Sequence, residues 1–516
     1  MFDNMTQQKR LIIAIVLSML FFIGYDFLIP KPTQTQKPVQ SEEISVANPI
    51  SNAKPLQSME VAKSEKIIAE IIGKHFDAKI NENGEISNFI LKDERFLSDK
   101  NEAIDLIDKN ASLYPLAIAF YDSEFNKEFN KIPFSANKSK LSEEEELVLT
   151  KDVNGVVVSK TIKFKEDGFY QVNISFSDNK LRDYVITPGE RPNVLADTLT
   201  VHGAMIYKND DTKTDYEDGD IKVNDERTEN DAVIAAFSDR YYTSTFYNFE
   251  KPFKVVLKNH KDLSVGYIVA SGNETFNAYI GPKEHKILES VNEKLTNVVE
   301  YGWFTFIAKP MFAFLSFIHS HVGNWGWSIV ILTIVVRICL TYPTYKSMVS
   351  MQKLKVLAPK IKEIQEKYKG NPQKMQMHMM ELYKKHKANP LGGCLPILIQ
   401  IPIFFAIYRV LLNAIELKAA PWALWINDLA IHDPYYILPI YMGATMFLQQ
   451  VITPMTIQDP TQAKIMKFLP LIFVIFFINF PAGLTLYWCV NNTFSLVQQW
   501  FVNRIFSQKE GKNANN

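Results

Sequence analysis

Cysteine is scarce in this sequence of 516 residues, and its placement argues against two kinds of stabilising site. Only Cys339, Cys394 and Cys489 occur, each within an apolar stretch. No two of them have CxxC spacing, and the polar region from 31 to 300 contains no cysteine. We therefore predict neither a disulfide framework nor a zinc site, and we expect no cofactor.

An excess of charge is also missing, because Lys+Arg and Asp+Glu both total 56 and the formal net charge is zero. A chain balanced in this way has no global signature of nucleic-acid binding. Signatures of intramembrane catalysis are missing as well, since the sequence contains no HExxH motif, no GxSxG motif and no pair of aspartates within its apolar runs. We predict that the protein is not an enzyme.

Long apolar runs, in contrast, are frequent. The first, from Leu11 to Ile29, follows two basic residues and lacks a small-x-small cleavage site. It is long enough to span a bilayer, so we predict an uncleaved anchor at residues 1–30 rather than a signal peptide. Five further spans are predicted at 328–345, 391–413, 435–453, 467–481 and 484–503. The predicted fold is an α-helical membrane bundle of six transmembrane helices, of which the last five form a core at 327–506.

The run 467–481 is shorter than the others, with about 14 mostly apolar residues where a full crossing needs nearer 20. A short helix would thin the local bilayer or leave a groove open to lipid, unless a tilted neighbour compensates for it. The sequence leaves both possibilities open.

The polar region after the first run has two parts. Residues 31–60 hold repeated prolines among Gln, Ser and Lys, a composition typical of a flexible linker. From 61 to 299 short runs alternate apolar and polar residues, as Tyr170–Phe176 does, and this period of two predicts a large antiparallel β-sandwich. The acidic stretch 210–231 lacks the spacing of an EF-hand loop, so we interpret it as a solvated surface loop rather than a calcium site.

Residues 300–326 are dense in aromatics and predict an amphipathic helix that lies in the membrane surface. The residues on its predicted apolar face are Phe304, Ile307, Met311, Phe314 or Leu315, and Ile318, and those on its polar face are Thr305, Lys309, Ser316 and Ser320. Two tryptophans, Trp325 and Trp327, mark the interface where the next apolar run begins.

The connection 346–390 contains eleven lysines and only three glutamates. By the positive-inside rule it is cytoplasmic, which puts both termini, including the tail 507–516, in the cytoplasm and the sandwich in the periplasm. Its apolar spacing breaks at Gly370–Pro372 and predicts a helical hairpin. Either the hairpin only packs on itself, or its methionines and lysines also form a landing surface for partners, and the sequence leaves both readings open.

Arg337 lies in the middle of the run 328–345, where a charge costs about 2.5–3.5 kcal/mol on insertion scales. Snorkelling to either end would have to cover roughly 12–14 Å, which is far for one arginine side chain. No Asp or Glu occurs in the four later runs, and Asp26 lies near the outer end of the first. Arg409 differs, because it is close enough to the outer end of its run to reach the interface or Glu416.

Polar residues recur in the runs around Arg337 and suggest a partner for it. Thr333, Thr341 and Thr344 lie on its own helical face, and the other runs contribute Gln400, Gln449, Asn491 and Ser495. Each alone is typical of an interhelical hydrogen bond. Together with an unpaired arginine, they predict a hydrated groove within the bundle.

Several motifs of the chain occur in one order. They are Val322–Gly326, Arg337 with Tyr342-Pro343, Asn389–Cys394, Gln400–Phe404, Asp433–Tyr436 and Phe480–Leu484. In this respect the chain closely resembles the YidC/Oxa family of membrane protein insertases, in its Gram-negative bacterial form. The resemblance covers the whole architecture, but 61–299 matches only in position and β-character. Arg409 and Asn479 depart from the family pattern, which has uncharged aromatics there.

The resemblance implies that the five C-terminal helices form a hydrophilic groove open to the cytoplasm and the lipid, with Arg337 at its positive centre. It further implies that the apolar segment of a client slides out along the third and fifth spans, past Cys394, Pro396, Pro402, Phe404, Pro470 and Phe476. The implied activity is to insert, fold and assemble nascent inner-membrane proteins, alone or with the Sec translocase. The implied partners of the hairpin are the ribosome and the signal recognition particle receptor, and the phospholipid bilayer is a partner of the whole core.

Two other functions would also place polar residues in or beside a membrane. A solute transporter or channel would show inverted-repeat halves with broken helices, and we find no such repeat in the sequence. A membrane-tethered periplasmic enzyme would place its site in the sandwich, but nothing in 61–299 forms a recognisable catalytic constellation. The insertase interpretation is therefore preferred.

Overall fold

The computed structural model describes residues 64–97, 102–194, 200, 202–386, 395–453 and 460–514. All of them belong to one structural unit, Leu56–Asn516. The predicted anchor at 1–30 and linker at 31–60 lie outside the described residues.

The first half of the described chain is built mainly of strands. Their bounds are β1 Ile67–Ile72, β2 Phe76–Asn81, β3 Ile86–Leu91, β4 Ile118–Phe120, β5 Ser135–Ala136, β6 Lys140–Ser142, β7 Glu146–Val153, β8 Val156–Phe164, β9 Phe169–Phe176, β10 Asp183–Ile186, β11 Gly203–Lys208, β12 Lys213–Glu217, β13 Glu226–Ser238, β14 Tyr242–Tyr247, β15 Phe253–His260, β16 Leu263–Ser271 and β17 Glu274–Pro282. A small sheet has the order β3-β2-β1-β6, and a large one the order β4-β10-β16-β15-β13-β14-β17-β9-β8-β7-β5, with the β11–β12 hairpin attached to β13. The two sheets confirm the predicted β-sandwich.

The sandwich is not wholly antiparallel as predicted, because β1 pairs with β6 in parallel, with Ile71 opposite Leu141. A parallel pair needs a long crossover, which β2 to β5 supply. On the inner side of the small sheet, the ring of Phe76 in β2 stacks on that of Phe89 in β3 at 4.7 Å between centroids. Phe164 closes the same aromatic layer.

The acidic stretch 210–231, predicted to be a surface loop, also forms strands that pair with their neighbours. It contains β12 and the start of β13, and Arg191 Nε donates to Asp218 Oδ2 at 2.5 Å. Within the described ranges no group of three or more His, Cys, Asp or Glu could hold a metal ion.

The second half of the described chain is helical. The helices of the whole chain are α1 Ser123–Lys131, α2 His285–Val291, α3 Thr305–Val322, α4 Trp325–Cys339, α5 Thr341–Lys367, α6 Pro372–Lys385, α7 Leu395–Asn413, α8 Ile437–Ile452, α9 Pro460–Phe477 and α10 Ala482–Ala514. Among the described residues, no helix by itself has both the length and the apolar composition to cross a membrane. The bent pair α4 and α5 meets the same criterion when the two helices are taken together. The six-span bundle stays a prediction.

The predicted run 328–345 is not one helix, since α4 ends at Cys339 and the chain bends by 60° before α5 begins. Pro343 has no N–H to give to the carbonyl of Cys339, so the hydrogen-bond ladder cannot continue through this point. The first hairpin helix therefore begins at Thr341 rather than near 346.

The predicted run 467–481 also differs from the helix that forms there. α9 is 18 residues long, begins earlier, at Pro460, and ends at Phe477. Pro481 cannot donate to the carbonyl of Phe477, which explains the end of the helix. Its apolar part is short, but the helix is not.

The buried face of α3 includes Leu315 and Ile318 as predicted, with Phe304, Ile307 and Met311 partly buried beside them, but it is broader than predicted. Ala308, Phe312, Leu315 and Ile318 are buried against neighbouring elements that include α4 and α7. Phe306, predicted on neither face, is 74% exposed. A helix that packs on two others must bury a broader stripe than one lying alone on a surface.

The loop after α7 ties the helices to the sandwich. Ile415 of this loop is part of the hydrophobic core between the two sheets. Arg240 Nε in the sandwich donates to the carbonyl of Leu412 at 2.8 Å, and Glu416 Oε1 accepts from the backbone N–H of His285 at 2.9 Å. Burial raises the pKa of Glu416 to about 7. These contacts hold α7 directly against the sandwich.

Candidate functional site

Arg337 lies in the last turn of α4 and is only 8% exposed. Its Nη2 donates to the carbonyl of Asn491 at 3.1 Å and to Ser495 Oγ, both on α10. Its Nε is buried and has no hydrogen-bond partner among the described residues, and none of their carboxylates forms an ion pair with the guanidinium. The charge is thus held by a carbonyl and a hydroxyl, neither of which neutralises it.

Gln400 connects α7 to the same place. Its Nε2 donates to Tyr487 Oη at 2.9 Å and to Asn491 Oδ1 at 3.3 Å. Arg337, Gln400, Asn491 and Ser495, all predicted from sequence, therefore meet in one hydrogen-bonded cluster formed by α4, α7 and α10. We call these four residues and Tyr487 the arginine cluster.

The hydroxyls of the predicted Thr333 and Thr341 donate to backbone carbonyls four residues earlier in the chain. Thr333 is buried, and its Oγ1 donates to the carbonyl of Ile329 at 2.6 Å. Thr341 Oγ1 donates to the carbonyl of Arg337 at 2.8 Å. Gln449 is half-buried on α8, and the hydrogen bonds of the arginine cluster do not include it. Threonine in a helix commonly satisfies its hydroxyl on the preceding turn, which spacing alone does not reveal.

Sequence reasoning missed Tyr487 as a cluster residue. The signal was present, because Tyr487, Asn491 and Ser495 are spaced four apart and so lie on one face of α10. α10 packs against α4, α5, α7 and α8. This face of it meets α4 through Arg337 and α7 through Gln400.

The same face of α10 continues beyond Ser495. Gln498 Nε2 donates to the carbonyl of Thr341 at 3.2 Å and to Thr344 Oγ1 at 2.8 Å. Five residues further on and on another side of α10, Asn503 Nδ2 donates to the carbonyl of Ile452 at the end of α8, at 2.9 Å. Polar contacts thus follow α10 over several turns.

The residues assigned to the slide are not all on one surface. Phe404 on α7 packs on Trp488 of α10 with 5.1 Å between ring centroids, and Pro402 is half-buried two residues before it. Pro470 is buried inside α9, whereas Phe476 near the end of the same helix is 52% exposed. Cys394 and the side chain of Pro396 lie outside the described residues.

The hairpin α5–α6 packs on itself as predicted. Leu354, Leu357 and Ile361 are buried, and Met379 packs against them. Met377 is 51% exposed. The hairpin therefore combines a small closed core with an outward methionine on a lysine-rich surface, and its role as a landing surface stays a prediction.

The sandwich has a cleft of about 180 Å³ between its small sheet and the start of α2. Its charged residues pair with one another: Arg95 Nη2 is 2.7 Å from Asp93 Oδ2 and 3.4 Å from Glu284 Oε2. Phe76 and Phe89, which form part of the wall, are almost fully buried in the core.

Comparison with known proteins covers nearly the whole chain. The family model of the 60Kd inner membrane protein matches residues 317–510, and that of the YidC periplasmic domain matches residues 70–314. A Campylobacter jejuni protein named membrane protein insertase YidC is 54% identical over 99% of this chain and 98% of its own length. This chain belongs to the YidC family. A Wolinella succinogenes YidC is 45% identical over 99% of this chain and 97% of its own.

Two solved YidC structures are similar over most of the chain. A crystal structure of an active YidC insertase with its first transmembrane domain resolved is 21% identical, covers 85% of this chain and 93% of its own, and has a TM-score of 0.37. The Thermotoga maritima YidC is 17% identical, with coverages of 85% and 98% and a TM-score of 0.29. Because both TM-scores lie below 0.5, neither likeness bears on the site. The predicted family is confirmed by the relatives, and the sandwich corresponds to the YidC periplasmic domain.

Proposed function

We propose that this protein is a membrane protein insertase of the inner membrane, the activity for which its YidC relatives are named. Its clients are nascent inner-membrane proteins, which it inserts, folds and assembles, alone or with the Sec translocase. It acts without covalent chemistry and without a cofactor.

The observation that carries this proposal is the buried, uncompensated charge of Arg337. A buried charge is costly unless it is paired, and the partners of this one are a carbonyl and a hydroxyl. An acidic residue in the translocated segment of a client would supply the missing negative charge and would be drawn toward it. Interactions of this kind strengthen as water is excluded.

The apolar segment of the client leaves along the exposed apolar sides of the neighbouring helices. α9, in the fifth predicted span, offers Leu471, Ile475 and Phe476, and α7, in the third, offers Leu398, each about half exposed or more. Lipid tails are as apolar as these side chains, so a client segment gains little by staying on this surface and moves into the bilayer.

The proposed membrane arrangement has six spans, with both termini and the basic hairpin in the cytoplasm and the sandwich in the periplasm. The lysine excess of 346–390 supports this orientation. On this arrangement the hairpin meets the ribosome and the signal recognition particle receptor, whose acidic or phosphate-bearing surfaces its lysines attract.

A reconstituted insertion assay tests the role of Arg337. Purified protein in liposomes receives a short single-span client with an acidic tail, and protease protection of the tail measures insertion. We expect protection with the wild type, retention of most of it in Arg337→Lys, and a loss of about ten-fold in Arg337→Leu, which corresponds to roughly 1.4 kcal/mol.

The matched control is Arg504→Leu, which removes an exposed positive charge from α10 outside the arginine cluster. It should insert the client as the wild type does. Normal insertion by Arg337→Leu would show that the electrostatic role is wrong, and absence of protection even with the folded wild type would favour an obligate Sec partner or a transporter.

A further inference from the structure

The bend between α4 and α5 lies directly beside Arg337. The two helices meet at 60° around Leu340. A broken helix frees backbone carbonyls, and a carbonyl without a partner in an apolar core costs folding free energy. Where these carbonyls find donors therefore shows what holds the bend.

Two of the donor residues are local and one is not. The carbonyl of Arg337 accepts from Thr341 Oγ1 at 2.8 Å, and that of Leu340 accepts from Thr344 Oγ1 at 2.7 Å and from the backbone N–H of Thr344 at 3.1 Å. The carbonyl of Thr341 accepts from Thr344 Oγ1 at 3.0 Å and from Gln498 Nε2 on α10 at 3.2 Å. Gln498 also donates to Thr344 Oγ1, so its amide reaches both threonines that close the bend.

α10 thus forms hydrogen bonds with the chain on both sides of the bend. Before the bend, Ser495 Oγ and the carbonyl of Asn491 hold the guanidinium of Arg337. After it, Gln498 holds Thr341 and Thr344. Ser495 and Gln498 are three residues apart in sequence and occupy adjacent turns of one helical face.

We propose that Gln498 is a positioning residue for Arg337. By fixing where α5 starts relative to α10, its amide fixes where α4 ends, and so sets the depth and direction of the guanidinium. This inference rests on the proposed function, in which Arg337 draws the acidic segment of a client. Without Gln498, the bend would keep only the local hydrogen bonds of Thr341 and Thr344 and, from α10, the contacts to Arg337 and the more distant one between Asn503 and Gln352.

Gln498→Met tests the proposal, because methionine keeps the length and volume of the side chain and removes both donated hydrogen bonds. The matched control is Gln499→Met on the next residue. Gln499 is more deeply buried than Gln498, at 3% exposed, and its Nε2 donates to Asn503 Oδ1 within α10 at 2.8 Å. Both variants are made in the full chain, which is reconstituted in lipid nanodiscs or liposomes.

The first readout does not depend on insertion. Hydrogen–deuterium exchange of peptides covering 338–346 reports the stability of the bend. We expect exchange at least three-fold faster than wild type in Gln498→Met and unchanged exchange in Gln499→Met. Unchanged exchange in Gln498→Met would overturn the proposal.

The second readout compares two clients that differ only in the tail, which carries either aspartates or asparagines. In Gln498→Met we expect the insertion rate of the acidic-tailed client to fall about five-fold and that of the neutral-tailed client to stay within two-fold of wild type. In an Arg337→Leu background, Gln498→Met should cause no further loss. Equal loss for both clients, or additive loss in the double variant, would mean a merely structural role and would overturn the proposal.

The two readouts also separate this inference from the proposed function. If Arg337→Leu inserts the acidic-tailed client at the wild-type rate, the proposed function of Arg337 is overturned, and with it any positioning role toward client binding. The hydrogen–deuterium exchange of 338–346 tests the contact between Gln498 and the bend independently of that result.

Discussion

At the scale of one residue, Lys160 shows how backbone carbonyls of the sandwich satisfy a buried amino group. It is 1% exposed, and its Nζ donates to the carbonyls of Gly84 and Leu116 at 2.8 and 2.9 Å. Burial lowers the pKa of Lys160 to about 7, and the nearby Glu85 partly opposes this shift. Burial likewise lowers the pKa of Lys151 to about 6.

These lysines predict a pH dependence of stability. Their pKa values are lower in the folded than in the unfolded state, so the unfolded chain binds more protons between about pH 6 and pH 10.5. The free energy of unfolding should therefore rise with pH across this window. We expect the melting temperature of the full chain in detergent, followed by differential scanning fluorimetry, to be higher at pH 9 than at pH 7.

Lys160→Met is the matched variant, since it removes one titrating group and should flatten the slope by about one proton. A melting temperature that falls between pH 7 and pH 9, or a slope unchanged in Lys160→Met, would contradict the prediction.

At the scale of an element, Asp433 is a buried carboxylate that accepts several hydrogen bonds at the start of α8. Its Oδ2 accepts from the backbone N–H of Leu438 at 2.7 Å, and its Oδ1 from that of Tyr435 at 3.0 Å and from Trp425 Nε1 at 2.9 Å. The side chain is 1% exposed. One carboxylate thus satisfies the first turn of a helix and the indole that packs before it.

Asp433→Ala should destabilise this end of α8 by about 3 kcal/mol, because it leaves buried donors without acceptors. Differential scanning fluorimetry of the full chain in detergent measures the loss. The control is Asp428→Ala in the same loop, where Oδ1 accepts from the backbone N–H of Ala430 at 2.7 Å. We expect a smaller loss there, and equal losses in the two variants would argue against the special role of Asp433.

At the scale of the whole molecule, Ile415 determines how the halves are joined. It follows α7 yet lies in the core between the sheets, 1% exposed. Asn413 Nδ2 donates to the carbonyl of Glu300 at 2.7 Å and supports the same junction. From sequence, the sandwich and the helical core had separate domain boundaries, but the structure gives them a shared packing surface.

We predict that Ile415→Ser uncouples the halves, because a hydroxyl would replace a buried side chain in the sandwich core. Limited proteolysis between 283 and 305 should become at least five-fold faster in the full chain. Leu424→Ser, in the same loop but 86% exposed, is the control and should be cleaved at the wild-type rate. Unaltered cleavage of Ile415→Ser would mean that the junction does not depend on this contact.

Local patterns determined much of the fold and part of the site. Alternation in β7 puts Leu147 and Leu149 in the core, as a period of two requires. Arg337 stood out because an apolar run makes a lone charge visible, and Asn491 and Ser495 stood out for the same reason. These features depend on residue type and short spacing, which the sequence states directly.

The tertiary structure alone decided the partners. Gln400, Tyr487 and Arg337 are far apart in sequence, and spacing within one helix cannot say which residue of another helix a side chain will meet. The same holds for the parallel pairing of β1 with β6 and for the insertion of Ile415 into the sandwich. Polar groups are satisfied by whichever donor or acceptor the packing brings within about 3 Å, and packing is a property of the whole chain.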